Sequence, residues 1–165
     1  MVQVRVAGVA RDPVGQHVIL LKPIGDEPGS GTVLPIWIGG QEASSILLAV
    51  EGAQAARPLS HDLMKSLLEI SGAAVTRVEV TRVEDSTFYA EITLLTPTGR
   101  HTLDARPSDA VALASRVDAP IWVADEVLAA AGIPDEVTED APDEEAEVAE
   151  FRQFLDEADP EDFRS

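Results

Sequence analysis

The sequence predicts an α+β domain, a mixed and largely antiparallel sheet with helices packed on it. Three observations predict it. Short alternating apolar stretches recur along the chain, joined by turns rich in Gly, Pro and Asp. Stretches with helical apolar spacing fall between groups of these strands, and Gly or Pro marks their ends. The chain has 165 residues and no cysteine, which suits one domain stabilised by an ordinary core rather than by disulfides.

Residues 2–10 place Val2, Val4 and Val6 on one face, with Gln3 and Arg5 on the other. Asp12-Pro13-Val14-Gly15 turns the chain into a second strand at 16–21, and a Gly- and Pro-rich loop follows to Gly31. The third strand, 32–38, carries Pro35, which points to a sheet edge or a bulge. After Gly39-Gly40 a helix is expected over 41–50, with Ala43, Ile46, Leu47 and Val50 on one stripe. A second helix, 61–71, is expected to start from a Ser60 cap, bury Leu63, Met64, Leu67 and Leu68, and stop at Gly72. Strands follow at 73–83, 87–95 and 100–105, the last two as a hairpin around Thr96-Pro97-Thr98-Gly99. A helix over 108–117 has small Ala112 and Ala114, which permit close packing. A short strand at 120–123 and a helix at 124–131 complete a domain expected to span 1–132. Trp37 and Trp122 repeat a Pro-Ile-Trp context that reads as core or interface packing.

An internal echo runs through this order. Strand, turn, strand and a helix with a polar opening occur around 16–50 and again around 87–117, with Glu42-Ala43 and Asp109-Ala110 at similar points. The identities are few, and generic α+β design accounts for the echo as well as duplication does.

The formal net charge is -18, of which residues 1–130 carry -6 and residues 131–165 carry -12. The acidic segment 133–165 reads as a tail, with Val148, Phe151 and Leu155 spaced for a short amphipathic helix at about 143–157 that docks on its own domain or on a partner. Neither part is basic overall, which argues against tight non-specific nucleic-acid binding. An acidic metal site can still handle phosphate through bound cations. No stretch is apolar for long enough to cross a bilayer, and the N-terminus alternates like a strand without a signal-peptide pattern, so a cytoplasmic protein is expected.

The densest polar cluster is Asp104-Ala-Arg-Pro-Ser-Asp109, where a strand hands over to a helix. A helix start offers free N–H groups and the positive end of the helix dipole. Asp104 and Asp109 could hold a divalent cation, with Glu42 as a further carboxylate, and Arg106 could grip a phosphate bidentately. Ser108 lies in the same turn as either a cap or a first-turn hydroxyl. His61 and Asp62 open another helix, and His61 has the chemistry of a general base or a metal ligand. The same residues also have a structural reading, as helix starters and ion-paired corner posts.

Four stretches carry a family resemblance. They are Leu34-Pro-Ile-Trp-Ile-Gly-Gly-Gln-Glu-Ala43, Arg57-Pro-Leu-Ser-His-Asp-Leu63, Phe88-Tyr-Ala-Glu91 and Leu103-Asp-Ala-Arg-Pro-Ser-Asp-Ala-Val-Ala-Leu-Ala114. On these the chain resembles the bifunctional nuclease family, most closely its actinobacterial members. The resemblance implies hydrolysis of DNA and RNA and a homodimer. With the residue chemistry it suggests Mg2+ or Mn2+ held by Asp104, Asp109 and Glu42, with His61, Asp62, Arg106 and Ser108 around the reacting phosphate. The alternative is a non-catalytic dimeric scaffold or regulatory binding protein, whose polar motifs fix strand–helix corners.

Overall fold

The computed structural model describes residues 1–136. The predicted helix at 143–157 and most of the acidic tail lie outside the described residues.

One eight-stranded sheet organises the domain, with strand order β6-β5-β4-β7-β1-β2-β3-β8. Its right half is the meander β1 (Val2–Arg11), β2 (His17–Pro23) and β3 (Thr32–Ile38), followed by helix α1 (Gly40–Val50) and helix α2 (Ser60–Ile70). Its left half is a second meander, β4 (Ala74–Glu84), β5 (Thr87–Thr96) and β6 (Gly99–Ala105), followed by helix α3 (Pro107–Val117). Strand β7 (Ile121–Val123) joins the halves, antiparallel to β1 and parallel to β4. Helix α4 (Asp125–Ala131) and the short strand β8 (Ile133–Pro134) follow. The α+β sheet expected from sequence is the one observed, and the two echoed segments are β2-β3-α1 and β5-β6-α3.

The alternation of each strand decides what it buries. Val78 and Val80 of β4, Ala90 and Ile92 of β5, and Ile19 and Leu21 of β2 face the helices and are nearly inaccessible. Helix α3 lies centrally on this face, and Ala110, Ala112 and Ala114 are at most 1% exposed. Their missing side-chain bulk lets α1 approach through Ala43, Ser45 and Ile46. Pro35 is tolerated because β8 pairs with only Thr32 and Val33, which leaves the rest of that side of β3 without a ladder to break.

Two expectations, both about α2, need correction. Helix α2 begins with Leu59 at the N-cap, so Ser60 is already helical. More consequentially, α2 turns Leu63 (56% exposed), Leu67 (58%), Met64 and Ile70 to the outside, and only Leu68 packs on the core. The physical reason is that His61 and Asp62, one turn away around the same helix, are tied inward by hydrogen bonds to α3. Trp37 is 54% exposed on the helix-free face, its indole N–H donating to Asp12. The sheet also runs past 132 through β8, where buried Lys22 pairs with Asp135 and the Glu27 carbonyl.

Candidate functional site

Three helix starts meet at one end of the sheet. Glu42 is the third residue of α1, His61 the second of α2 and Asp109 the third of α3. First-turn acids are favoured at such positions by the helix dipole, so each residue has a local reason for its place. Their convergence is a tertiary fact. Arg106, at the N-cap of α3, joins them: its Nε donates to Asp109 Oδ2 at 2.8 Å and its Nη2 to Glu42 Oε1 at 3.1 Å. Pro107 fixes the first helical position after it and holds Arg106 extended, at φ -69 and ψ 142. The Arg106 side chain is 66% exposed, whereas Glu42 and Asp109 are mostly covered.

Gly39 makes this geometry accessible to Glu42. A Cβ at Gly39 would stand 2.2 Å from Glu42 Oε2, so the carboxylate folds back into space that only glycine leaves. The two carboxylates share one guanidinium, which leaves the trio with one excess negative charge.

Further hydrogen bonds run inward from Asp109. His61 Nε2 lies 2.8 Å from Asp109 Oδ1, and His61 Nδ1 lies 2.7 Å from Ser45 Oγ. The Asp109 carboxylate can only accept, so Nε2 donates to it; in the neutral tautomer that this selects, Nδ1 accepts from the Ser45 hydroxyl. Ser45 Oγ in turn accepts from Arg116 Nη2 at 2.9 Å. Arg116 Nε donates to Asp62 Oδ1 at 2.8 Å, and the Leu59 N–H donates to Asp62 Oδ2. The result is a continuous chain from Asp62 through Arg116, Ser45, His61, Asp109 and Arg106 to Glu42. Burial pushes the Asp109 carboxyl up, but hydrogen bonds from Arg106 and His61 outweigh it and hold the group below the ordinary carboxylate range. Arg116 and then the Leu59 N–H lower Asp62. The Asp109 hydrogen bond raises Arg106 further above its ordinary value.

Of the residues singled out from sequence, Glu42, His61, Arg106 and Asp109 come together, and Asp62 joins through Arg116. Ser108 is buried in the first turn of α3. Asp104 stands apart, exposed on β6 and directly across from Glu91 of β5. His61 is buried, with both ring nitrogens engaged. Among the described residues no three His, Asp or Glu side chains form a ready-made metal cluster. Ser45 and Arg116 were missed. Their signals were present: a second consecutive hydroxyl in an apolar helix, and an arginine seven residues after Asp109, two turns along the same face.

The family model described as "Bifunctional nuclease domain" matches residues 23–136, and the chain belongs to that family. An uncharacterized protein of Mycobacterium tuberculosis is 41% identical over 170 residues, covering 100% of this chain and 99% of that protein. Bifunctional nuclease 1 of Oryza sativa subsp. japonica is 31% identical over 116 residues, 68% of this chain. Bifunctional nuclease 2 of Arabidopsis thaliana is 31% identical over 100 residues, 59% of this chain. The matched region spans 34% and 30% of those two plant proteins. Among the described residues no helix is long and apolar enough to cross a membrane.

Proposed function

We propose that the chain hydrolyses phosphodiester bonds in DNA and RNA, with Arg106, Asp109 and Glu42 as the phosphate-handling site. The observation that carries this reading is the exposed guanidinium of Arg106, oriented by two carboxylates from two different helix starts. Arg106 Nη1 takes no part in these two contacts, and the exposed guanidinium can bind a phosphoryl oxygen and stabilise charge developing during displacement. In that reaction water attacks phosphorus, one P–O bond breaks, and the leaving oxygen takes a proton. His61 acts through Asp109: its Nε2–H holds the carboxylate ionised and fixed in orientation. Asp62 acts through Arg116 and Ser45, which fix the ring of His61. Ser108 serves the helix start.

Glu42 and Asp109 also suit a divalent cation. Mg2+ characteristically takes one or two carboxylates and completes its shell with water and substrate phosphate, so a larger protein cage is not required. The excess negative charge of the trio favours such an ion, and Glu42 and Asp109 would hold it. Bound there, Mg2+ or Mn2+ would polarise the phosphate and lower the pKa of a coordinated water. Asp104 would take no part.

The buried His61–Ser45–Arg116 chain also suits a second reading, a scaffold whose helix corners are pinned by polar bonds. Purified full-length protein would be assayed on single- and double-stranded DNA and RNA with Mg2+, Mn2+ or EDTA, beside identically purified Arg106→Ala and Asp109→Asn. Metal-dependent cleavage that is lost in both folded variants is expected. Equal trace cleavage in all three proteins would refute the assignment and favour the scaffold.

A further inference from the structure

Two basic side chains stand beside the site and take no part in it. Arg11 ends β1, His17 begins β2, and the ladder sets them directly opposite each other. The opposed pair two residues further in, Val9 and Ile19, packs with the core. Side chains alternate along a strand, so Arg11 and His17 are on the helix side of the sheet. There the His17 ring lies against the start of α1. A Cβ at Gly40 would stand 3.3 Å from His17 Cε1. The preceding residue, Gly39, is the one over which Glu42 folds its Oε2. The pair therefore flanks the trio of Arg106, Glu42 and Asp109 across two adjacent glycines.

An exposed arginine is ordinary by itself, but this pair lacks what such pairs usually have. Among the described residues neither side chain makes a hydrogen bond or an ion pair. The neighbouring acid, Asp12, is engaged elsewhere: Oδ2 accepts from Trp37 on the helix-free face, and Oδ1 accepts from the Val14 and Gln16 N–H groups. Glu42 gives its Oε1 to Arg106. A protonated ring opposite a guanidinium is a like-charge pair, which is destabilising. An anion set between them makes both groups donors to one acceptor. Helix α1 begins beside them without a side-chain cap, which leaves its first N–H groups without an internal partner. The Glu42 carboxylate separates this pair from Arg106, so one phosphate does not reach both without meeting that carboxylate. We infer that Arg11 and His17 form a second phosphate subsite, which holds the backbone phosphate next to the one at Arg106 on the same nucleic-acid strand. The inference rests on reading the site as one that acts on nucleic acid, and it gives the strand a direction across the start of α1.

Fluorescence anisotropy of a labelled single-stranded oligonucleotide, titrated with the full chain in EDTA at several salt concentrations, tests this without cleavage. Each phosphate contact on a single strand contributes about 0.7 to the slope of log affinity against log salt. Arg11→Gln is expected to lower the slope by about that amount and to weaken low-salt binding at least about threefold. Arg11→Lys, which keeps the charge, retains the slope. His17→Ala, which removes the ring N–H, weakens low-salt binding independently. Arg100→Gln, at the opposite end of β6 from the α3 start, leaves the slope as it is. Circular dichroism shows that each variant is folded. An unchanged slope in folded Arg11→Gln, an equal fall in Arg100→Gln, or no salt-dependent binding by the wild type overturns the subsite. Cleavage by the wild type together with an unchanged slope overturns the subsite alone. A slope lost specifically in Arg11→Gln, in a chain that cleaves nothing with Mg2+ or Mn2+, supports the subsite and refutes the hydrolytic reading.

Discussion

Replacing Ser45 with alanine tests whether the inward hydrogen-bond chain holds the three helices together. Ser45 is 3% exposed, and its hydroxyl stands between His61 Nδ1 and Arg116 Nη2. Removing one oxygen leaves two polar groups without that partner in a site water reaches poorly. An unsatisfied buried group costs about 1–3 kcal/mol. Arg116 keeps its bonds to Asp62 and the Ala112 carbonyl, so its share falls at the low end. Alanine returns roughly 0.5 kcal/mol of helix propensity. The net expectation is a loss of about 2–3 kcal/mol, or a drop of about 1 M in the urea midpoint at an m-value of roughly 2 kcal/mol/M. Ser44→Ala is the matched control. Ser44 is exposed on the same helix and bonds only the Gly40 carbonyl one turn back, so its substitution should move stability by less than about 0.5 kcal/mol. Urea unfolding of the three proteins in one buffer decides the matter. Equal midpoints for Ser45→Ala and Ser44→Ala would refute the claim that the chain through Ser45 is a stabilising contact between α1, α2 and α3.

Leu68→Ala should cost about 2 kcal/mol or more and Leu67→Ala less than about 0.5 kcal/mol in protomer stability, measured in dilute protein; the reverse order would put the opposite face of α2 inside. Lys22→Ala removes the buried partner of Asp135 and should cost about 3 kcal/mol, read from thermal unfolding. Gly39→Ala should leave the fold intact but push Glu42 off Arg106, lowering cleavage to the level of Glu42→Gln; full activity would show that the Glu42 contact is dispensable. Asp62 and Asp109 both titrate below the ordinary carboxylate value when folded. Their stabilisation is therefore complete above the unfolded value near 3.8 and is lost as pH falls through the lower folded value. Asp109→Asn should flatten that acid limb in a pH series of unfolding midpoints, and an unchanged limb would contradict the assignment.

The sequence by itself determined where the elements lie. Strand alternation, Gly and Pro punctuation and helix spacing are local properties, so the strand at 32–38 and the helix from Pro107 are legible from their own residues. The family motifs were legible too, because they are contiguous. Tertiary structure decided which residues of those motifs meet. Glu42 and Asp109 sit at equivalent positions of α1 and α3, yet only the docking of those helices places both on Arg106 and leaves Asp104 on an edge strand. Helix α2 makes the point most sharply. Its spacing marks Leu63, Leu67 and Ile70 as one apolar face, but spacing cannot say which way that face turns. The hydrogen bonds of His61 and Asp62 to α3 fix the rotation, and they join residues about fifty apart in the chain. Ser45 and Arg116 escaped a reading of local pattern for the same reason: each acquires its role only from a partner that the fold brings to it.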